Sequence, residues 1–302
     1  MRDISSRRRI VEDQGGGHSV KRGWLRKFHF ENLPRFQRFF ERLLKITHTH
    51  RIGQLNALKI KVENVQIPCN GLAGSFDGMR ILFISDLHID GSDELADKIV
   101  EITESLEYDL CLLGGDYTFN CEKIPDTDHS NLKKIVKKLV EKTQVLAVLG
   151  NHDHYCDGKM LHELGAEVLV NENIYIEKGG EKIYFAGIDD SHYYQADNIP
   201  LASTGTDGWS FKVMLSHSPE RYKQAVEAGY GLYLSGHTHG GQVCLPGGKM
   251  IVKGASVPKH LLKGQWKFQG MTGYTSRGVG TSGVNVRFFC KPEITLLTLR
   301  KK

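Results

Sequence analysis

Five short polar clusters carry the side chains of this chain that are best suited to chemistry. They are Asp86-Leu87-His88, Gly115-Asp116, Gly150-Asn151-His152-Asp153, Ser216-His217 and Gly236-His237-Thr238-His239. Carboxylate, imidazole and amide groups without a thiolate form a ligand set that suits Mn²⁺, Fe²⁺, Fe³⁺, Zn²⁺ or Co²⁺. One Asp or His alone would ordinarily be a helix cap or a surface residue, but five such clusters in one chain indicate a metal centre.

Seven of these side chains are sufficient to fill the coordination shells of two neighbouring divalent cations. They are Asp86, His88, Asp116, Asn151, His217, His237 and His239. We expect Asp116 to bridge the cations, because its carboxylate has one oxygen for each. His152 is left over and is available for proton transfer. Since two neighbouring cations generate hydroxide and hold a phosphate group, the set predicts hydrolysis of a phosphate ester or anhydride.

Apolar, β-forming runs precede all five clusters, and helical patterns lie between them. Strands are predicted at about 57–67, 79–85, 110–113, 145–149, 174–176, 183–188, 213–216, 232–235, 284–289 and 294–299, and helices at about 92–106, 130–142, 158–164 and 219–228. This alternation predicts a layered α/β sandwich with its sheets in the middle. Because the functional crevice of an open α/β sheet lies beyond the carboxyl ends of its strands, the five clusters should converge on one edge.

The chain resembles the calcineurin-like metallophosphoesterase superfamily over about residues 79–299. The resemblance rests on the motifs DLH (86–88), GGD (114–116), GNHDH (150–154), SH (216–217) and GHTHGG (236–241). It implies a four-layer α/β/β/α sandwich with two bound metal ions, Mn²⁺ being the first candidate. It also implies that one metal is held by Asp86, His88, Asp116 and His239, and the other by Asp116, Asn151, His217 and His237. In the same resemblance His152 protonates the leaving oxygen and Asp153 orients His152.

Two further stretches are similar to a branch of bacterial phosphohydrolases that includes the chlamydial-type UDP-2,3-diacylglucosamine pyrophosphatase of lipid A synthesis. They are GHTHGGQVCLPGG (236–248) and SRGVGTSG (276–283) with the tail that follows it. The branch implies a nucleotide-lipid substrate. A soluble phosphodiesterase acting on nucleotides or small phosphodiesters is the alternative, whereas a non-catalytic binding module conflicts with the intact ligand set and with His152. Arg277 could bind a substrate phosphate through two guanidinium nitrogens, although a loop arginine without that role is equally compatible.

The basic charge of the chain is confined to its N-terminal part. Residues 1–51 contain thirteen Lys and Arg against five Asp and Glu, whereas the remaining 251 residues carry a net charge of −3. This distribution disfavours nucleic acid as a partner of the body. Composition and periodicity predict a disordered basic leader over 1–22 and a basic amphipathic helix over 23–51. The resemblance implies that the remaining residues, 52–302, form the metallophosphoesterase domain.

The amphipathic helix predicts contact with a membrane surface. Its apolar face consists of Phe36, Phe39, Phe40, Leu43 and Leu44, and basic residues surround that face. The alternative is that this face packs on the protein's own body. No stretch reaches the about 18 apolar residues of a membrane span, and scattered cysteines without a C-x-x-C pair favour a reducing compartment. We therefore expect a cytoplasmic protein that is peripheral on the inner face of the cytoplasmic membrane.

Overall fold

The computed structural model describes residues 6–13, 34–119 and 129–302. The helices of these ranges are α1 (Ser6–Asp13), α2 (Pro34–Ile46), α3 (His50–Ala57), α4 (Asp93–Ser105), α5 (Ser130–Lys142), α6 (Tyr155–Glu163), α7 (Ile199–Ala202) and α8 (Tyr222–Glu227). The strands are β1 (Lys61–Cys69), β2 (Arg80–Ile84), β3 (Leu110–Leu113), β4 (Val145–Ala147), β5 (Glu167–Val168), β6 (Glu172–Lys178), β7 (Glu181–Gly187), β8 (Phe211–Leu215), β9 (Leu232–Ser235), β10 (Cys244–Leu245), β11 (Lys249–Met250), β12 (Gly264–Phe268), β13 (Met271–Thr275) and β14 (Glu293–Lys301).

Two large sheets form the centre of the described structure. The first has the strand order β1-β14-β2-β3-β4-β5, and the second has the order β12-β13-β9-β8-β7-β6. In the first sheet β2 to β5 run parallel, and in the second sheet β7, β8, β9 and β13 run parallel. Because parallel strands end at the same edge of a sheet, the loops after β2, β3 and β4 lie together, as do those after β8 and β9.

Alternation of side chains along the central strands produces four layers. Phe83 of β2 and Val213 of β8 belong to the same apolar core between the two sheets. Ile84 points the other way, into the core beneath α4 and α5, and Met214 points into the core beneath α8. The predicted α/β/β/α sandwich is confirmed.

Residues 284–289 do not form the strand that their alternating pattern predicts. Val284 and Val286 pack with Leu44 of α2 in a small separate core. The N–H of Arg287 donates to the carbonyl of Gly53 at 3.0 Å. The segment therefore holds α2 and α3 against the body instead of joining a sheet.

Two strands of the second sheet, β12 and β13, were not predicted. Their sequences GQWKF and MTGYT contain glycine, threonine and a charged residue, which weaken the apolar signal of a buried strand. Helix α3 extends to Ala57, so β1 begins at Lys61 rather than at residue 57.

The predicted leader contains a helix, so the prediction of disorder is wrong for residues 6–13. Helix α1 buries the side chain of Arg8 completely against the body, and composition alone could not reveal that distant contact. The rest of the predicted leader and residues 23–33 of the predicted amphipathic helix lie outside the described residues. The described part of that prediction is not one helix, because α2 ends at Ile46 and α3 begins at His50 after a short turn. Among the described helices, none combines the length and apolarity needed to cross a membrane.

Candidate metal centre

The loops after β2, β3, β4, β8 and β9 bring the predicted ligands together at one edge of the sheets. Three groups of buried side chains there have ligand atoms that lie within 4.8 Å of one another. The groups are Asp86, His88 and His239; His88, Asp116 and His152; and Asp116, His217 and His237. The predicted convergence of the clusters is therefore present in the fold.

The backbone is strained at the ligands themselves. Five of the seven predicted ligands have φ between +39° and +69°: Asp86, His88, Asp116, His237 and His239. Such values cost a non-glycine residue about 1–3 kcal/mol and persist only where the surroundings impose them. Here the N–H of Asp86 donates to Gly115 at 2.9 Å, and the N–H of His88 donates to the Asp116 carbonyl at 3.1 Å. Contacts between neighbouring loops thus hold the ligands in conformations that they would not adopt alone.

One half of the centre is formed by Asp86, His88 and His239. Nε2 of His88 lies 3.3 Å from Nε2 of His239, and Oδ1 of Asp86 lies 3.6 Å from the same His239 atom. Nδ1 of His88 donates to the Thr118 carbonyl at 3.1 Å, which leaves the lone pair of Nε2 facing His239. Nδ1 of His239 is buried and has no hydrogen-bond partner among the described residues. Ring nitrogens that face each other in this way need a proton or a cation between them.

The other half gathers around Nε2 of His217. That atom lies 3.0 Å from Oδ1 of Asn151, 3.1 Å from Oδ2 of Asp116 and 3.2 Å from Nδ1 of His237. Backbone carbonyls again accept from the far nitrogens of both imidazoles, at 2.9 Å for Nδ1 of His217 and 3.3 Å for Nε2 of His237. Carbonyls that orient histidines through the nitrogen remote from the site are typical of metal ligands.

Asp116 joins the two halves. Its Oδ2 lies 3.1 Å from Nε2 of His217 and 3.7 Å from Nε2 of His88. Its other oxygen accepts from the N–H of His152 at 2.9 Å. A carboxylate oxygen between imidazoles of both halves is the arrangement expected of a bridging ligand.

The buried charges of the site favour a bound cation. Although burial disfavours the charged form, the carboxylates of Asp116 and Asp86 raise the pKa of His217 to about 10. Burial and neighbouring histidines lower the pKa of His237 and of His239 well below the usual value. Burial also raises the pKa of Asp86 to about 6. The neutral imidazoles of His237 and His239 beside buried carboxylates fit a divalent metal ion, and His217 can join them once it releases its proton.

His152 lies beside the ligands of the first half. Its ring centroid is 4.9 Å from that of His88, in an edge-to-face arrangement, and its Nδ1 lies 3.3 Å from the carbonyl of Phe119. Burial lowers the pKa of His152 to about 4, so the ring is neutral near pH 7 until an anion binds nearby. A phosphate group at the centre would favour the protonated form.

Asp153 follows His152 directly in the turn after β4, and its expected role in orienting His152 stays a prediction. Its carboxylate accepts from the N–H groups of Gly150 and Asp116 at 2.7 Å each and from that of Tyr117 at 2.8 Å. These bonds join the loop after β3 to the turn after β4. Asp153 therefore positions the backbone that carries Asp116 and His152.

Two glycines allow the loops to approach closely. A Cβ at Gly150 would collide with the carboxylate of Asp116, and a Cβ at Gly236 would collide with Ser85 and Asp86. Glycine at these positions thus leaves room for the carboxylates of Asp116 and Asp86.

Arg277 forms ion pairs with two glutamates. Its Nη2 is 2.6 Å from Oε1 of Glu63 and 2.5 Å from Oε2 of Glu293. Both carboxylates contact the same guanidinium nitrogen, and the phosphate-binding role of Arg277 stays a prediction.

Arg287 supports the site and was not predicted. Its completely buried guanidinium donates to the carbonyls of Arg277 at 2.8 Å, Gly278 at 3.1 Å and Gly280 at 2.5 Å. The N–H of Gly280 in turn donates to the carbonyl of Asp86 at 2.7 Å. Arg287 stands inside the apolar run VNVRFF, and a charged residue in such a run is a sequence signal for a buried arginine with specific partners.

His192 is a second residue that was not among the predicted site residues. Its ring centroid lies 4.3 Å from that of His237, and its Nδ1 lies 3.1 Å from Oε1 of Glu220. His192 follows a predicted strand near the same edge, but the sequence around it favours a plain polar loop.

Two clefts open on the centre, on either side of residues 283 and 284. The first has a volume of about 370 Å³, touches His88 and is bounded by Asp90, Ser92 and Glu94 near the start of α4. The second has a volume of about 250 Å³ and touches His239. Its wall is largely apolar and includes Phe40 of α2, Val243, Ile251 and Val252.

Comparison with known proteins agrees with this geometry. The sequence model of the family described as calcineurin-like phosphoesterase matches residues 79–241. The chain is 28% identical over 248 residues to the metallophosphoesterase YkoQ of Bacillus subtilis, covering 80% of this chain and 90% of that protein. It is 31% identical over 236 residues to the metallophosphoesterase YkuE of Bacillus subtilis, covering 74% and 80% respectively. It is 29% identical over 232 residues to the phosphodiesterase YaeI of Escherichia coli, covering 73% and 82%. The chain therefore belongs to the calcineurin-like phosphoesterase family.

Proposed function

We propose that this metallophosphoesterase is a dinuclear enzyme that cleaves a phosphodiester or pyrophosphate bond. The observation that carries the proposal is the position of Oδ2 of Asp116 between His88 and His217. Each of these histidines belongs to a different half of the centre, so one carboxylate can serve two ions.

The two halves would each hold one ion. Asp86, His88, Asp116 and His239 would hold the first, and Asp116, Asn151, His217 and His237 would hold the second. When bound, such ions lower the pKa of water to yield hydroxide and neutralise the charge that develops on a phosphoryl group. We propose Mn²⁺ for both, although Fe, Zn and Co also suit oxygen and nitrogen donors without thiolate.

His152 would donate a proton to the departing oxygen. The carbonyl of Phe119 accepts from Nδ1, so the proton to be transferred is the one on Nε2. The pKa of about 4 must rise before Nε2 carries that proton, and the negative charge of a bound phosphate acts in this direction. The contact of its N–H with Asp116 keeps His152 beside the bridging ligand.

We further propose a nucleotide-lipid such as UDP-2,3-diacylglucosamine as the substrate, met at the inner surface of the cytoplasmic membrane. The apolar cleft extends from His239 to Phe40 of α2, which gives an acyl chain a place beside the centre. Exposed Phe39 and Leu43 on α2, together with exposed Arg38 and Arg42, suit a surface of anionic lipid. The alternative, a soluble phosphodiesterase of nucleotides or small phosphodiesters, is favoured by the more polar cleft beside His88.

Product analysis on purified protein with Mn²⁺ tests both proposals. The substrates are bis(p-nitrophenyl) phosphate and UDP-2,3-diacylglucosamine, and mass spectrometry identifies the products. We expect hydrolysis of both, with UMP and a diacylglucosamine phosphate as the halves of the cleaved pyrophosphate. His152→Ala should lower kcat by at least about 100-fold, the scale of acid catalysis. His162→Ala, which changes an exposed histidine of α6, is the matched control and should leave kcat unchanged.

Each outcome separates the hypotheses. Hydrolysis of the diester without hydrolysis of the UDP-lipid would favour the soluble phosphodiesterase. Turnover of neither substrate would contradict the enzymatic proposal, and full activity of His152→Ala would remove His152 from the mechanism.

A further inference from the structure

Helix α1 contacts the metal centre from outside residues 79–241, which match the family. The side chain of Arg8 is completely buried. Its Nε donates to Oδ1 of Asp189 at 2.8 Å, and its Nη2 lies 2.7 Å from the same oxygen. The guanidinium also stacks on Tyr194, 4.0 Å from the ring centroid. Because a guanidinium is costly to bury without such partners, this is a specific docking contact.

The same guanidinium binds the turn that follows β4. Nη1 of Arg8 donates to the carbonyl of Asp153 at 2.5 Å, and Nη2 donates to that of Gly150 at 3.0 Å. These two carbonyls flank Asn151 and His152. The carboxylate of Asp153 holds the N–H of Gly150 at 2.7 Å. Arg8 therefore holds the carbonyls of the turn while Asp153 holds its N–H.

Two more contacts attach α1 next to this turn. Oε1 of Glu12 accepts from the N–H of Tyr155, the first residue of α6, at 3.1 Å. The guanidinium of Arg9 lies over the ring of Tyr155, 4.4 Å from its centroid. Ile10 is 52% exposed. Polar contacts rather than burial of Ile10 therefore hold the helix in place.

We propose that α1 is a tethered clamp on the turn, and that Arg8 is a positioning residue for Asn151 and His152. A segment from outside the matched part of the chain would thus complete the metal centre. The proposal rests on the proposed function for the roles of Asn151 and His152. Its first readout, the mobility of the turn, requires neither a metal nor a substrate.

Variants of the full chain test the clamp. Arg8→Ala and Arg8→Lys are compared with Arg7→Ala, which removes the same charge from an exposed neighbour on α1. Hydrogen exchange of the amides of residues 150–155 is measured without metal, and Mn²⁺ affinity is measured by calorimetry. We expect Arg8→Ala to speed exchange at 150–155 by about tenfold or more while β2 and β3 keep their protection. The affinity of Arg8→Ala for Mn²⁺ should fall by about 10–100-fold, because the removal of a group that orients a metal ligand has an effect of this size.

The conservative and control variants sharpen the result. Arg8→Lys should lie between wild type and Arg8→Ala, because one ammonium cannot reproduce the guanidinium fork. Arg7→Ala should match wild type in both measurements. Wild-type exchange and affinity in Arg8→Ala would overturn the proposal, and so would faster exchange throughout β2 and β3.

A second variant covers the case in which Arg8→Ala does not fold. Asp189→Asn removes the charge that pairs with Arg8 and keeps the side-chain size, so it should loosen the same amides. Wild-type protection at 150–155 in Asp189→Asn would overturn the proposal. Failure of the proposed function would appear separately, as wild-type protein that binds no Mn²⁺.

Discussion

At the scale of single residues, the pKa of His217 links electrostatics to metal binding. Nε2 of His217 lies 3.1 Å from Asp116, and the carboxylates of Asp116 and Asp86 raise its pKa to about 10 against the effect of burial. Below that pKa a proton occupies the imidazole. A cation can bind Nε2 only after that proton leaves, so metal binding and proton release are coupled.

We predict that the affinity for Mn²⁺ rises with pH between about 6 and 9, because this window lies below the raised pKa of His217. One displaced proton changes the affinity by at most about tenfold per pH unit. Calorimetric titration in buffers of different ionisation enthalpy measures the protons released. His162→Ala should release as many protons as wild type. An affinity that does not change with pH would contradict the assigned protonation of His217.

At the scale of elements, α2 divides its apolar face between two surfaces. Phe40 and Leu44 pack against the segment around Val284. Phe39 and Leu43 are 64% and 46% exposed. Part of the face thus packs on the body, as the alternative interpretation held, and part is exposed. The helical periodicity could not predict which apolar residues of α2 are buried and which are exposed, because all of them fit the same amphipathic pattern.

The exposed part of α2 predicts binding to anionic vesicles. We expect wild-type protein to sediment with vesicles that contain phosphatidylglycerol, and Phe39→Ser with Leu43→Ser to stay in the supernatant. Trp209→Ser is the control, because Trp209 is 85% exposed on a loop outside α2. Added salt should weaken binding through Arg38 and Arg42. Equal sedimentation of the double variant and wild type would contradict a role of α2 at the membrane.

At the scale of the whole molecule, prediction succeeded where the signal is local. The apolar runs of β2, β3, β4, β8 and β9 were evident, and the ligand clusters follow them directly. Residues close together in one loop, such as Asp86 and His88, could therefore be placed together at the end of a strand. The alternation of strand and helix patterns predicted the layered fold, and the position of the clusters after strands predicted the edge at which the centre forms.

Prediction failed where distant contacts decide the structure. Arg8 lies 181 positions from Asp189 and 142 from Gly150, so nothing near it in sequence indicates its partners. Arg287 likewise supports Asp86, which lies far from it in the sequence. Arg287 binds the carbonyl of Gly280, and the N–H of Gly280 binds the carbonyl of Asp86. The alternating run 284–289 resembles a strand, but its apolar side is occupied by α2.

The central claim is that seven side chains of the fold hold two metal ions bridged by Asp116. The most direct measurement is the number of Mn²⁺ ions retained per chain, determined by elemental analysis of wild type, Asp116→Ala and the exposed control Asp97→Ala. Two ions in wild type and in Asp97→Ala, with loss of metal from Asp116→Ala, are the predicted result. One ion or none in wild type, or two ions retained by Asp116→Ala, would contradict the claim.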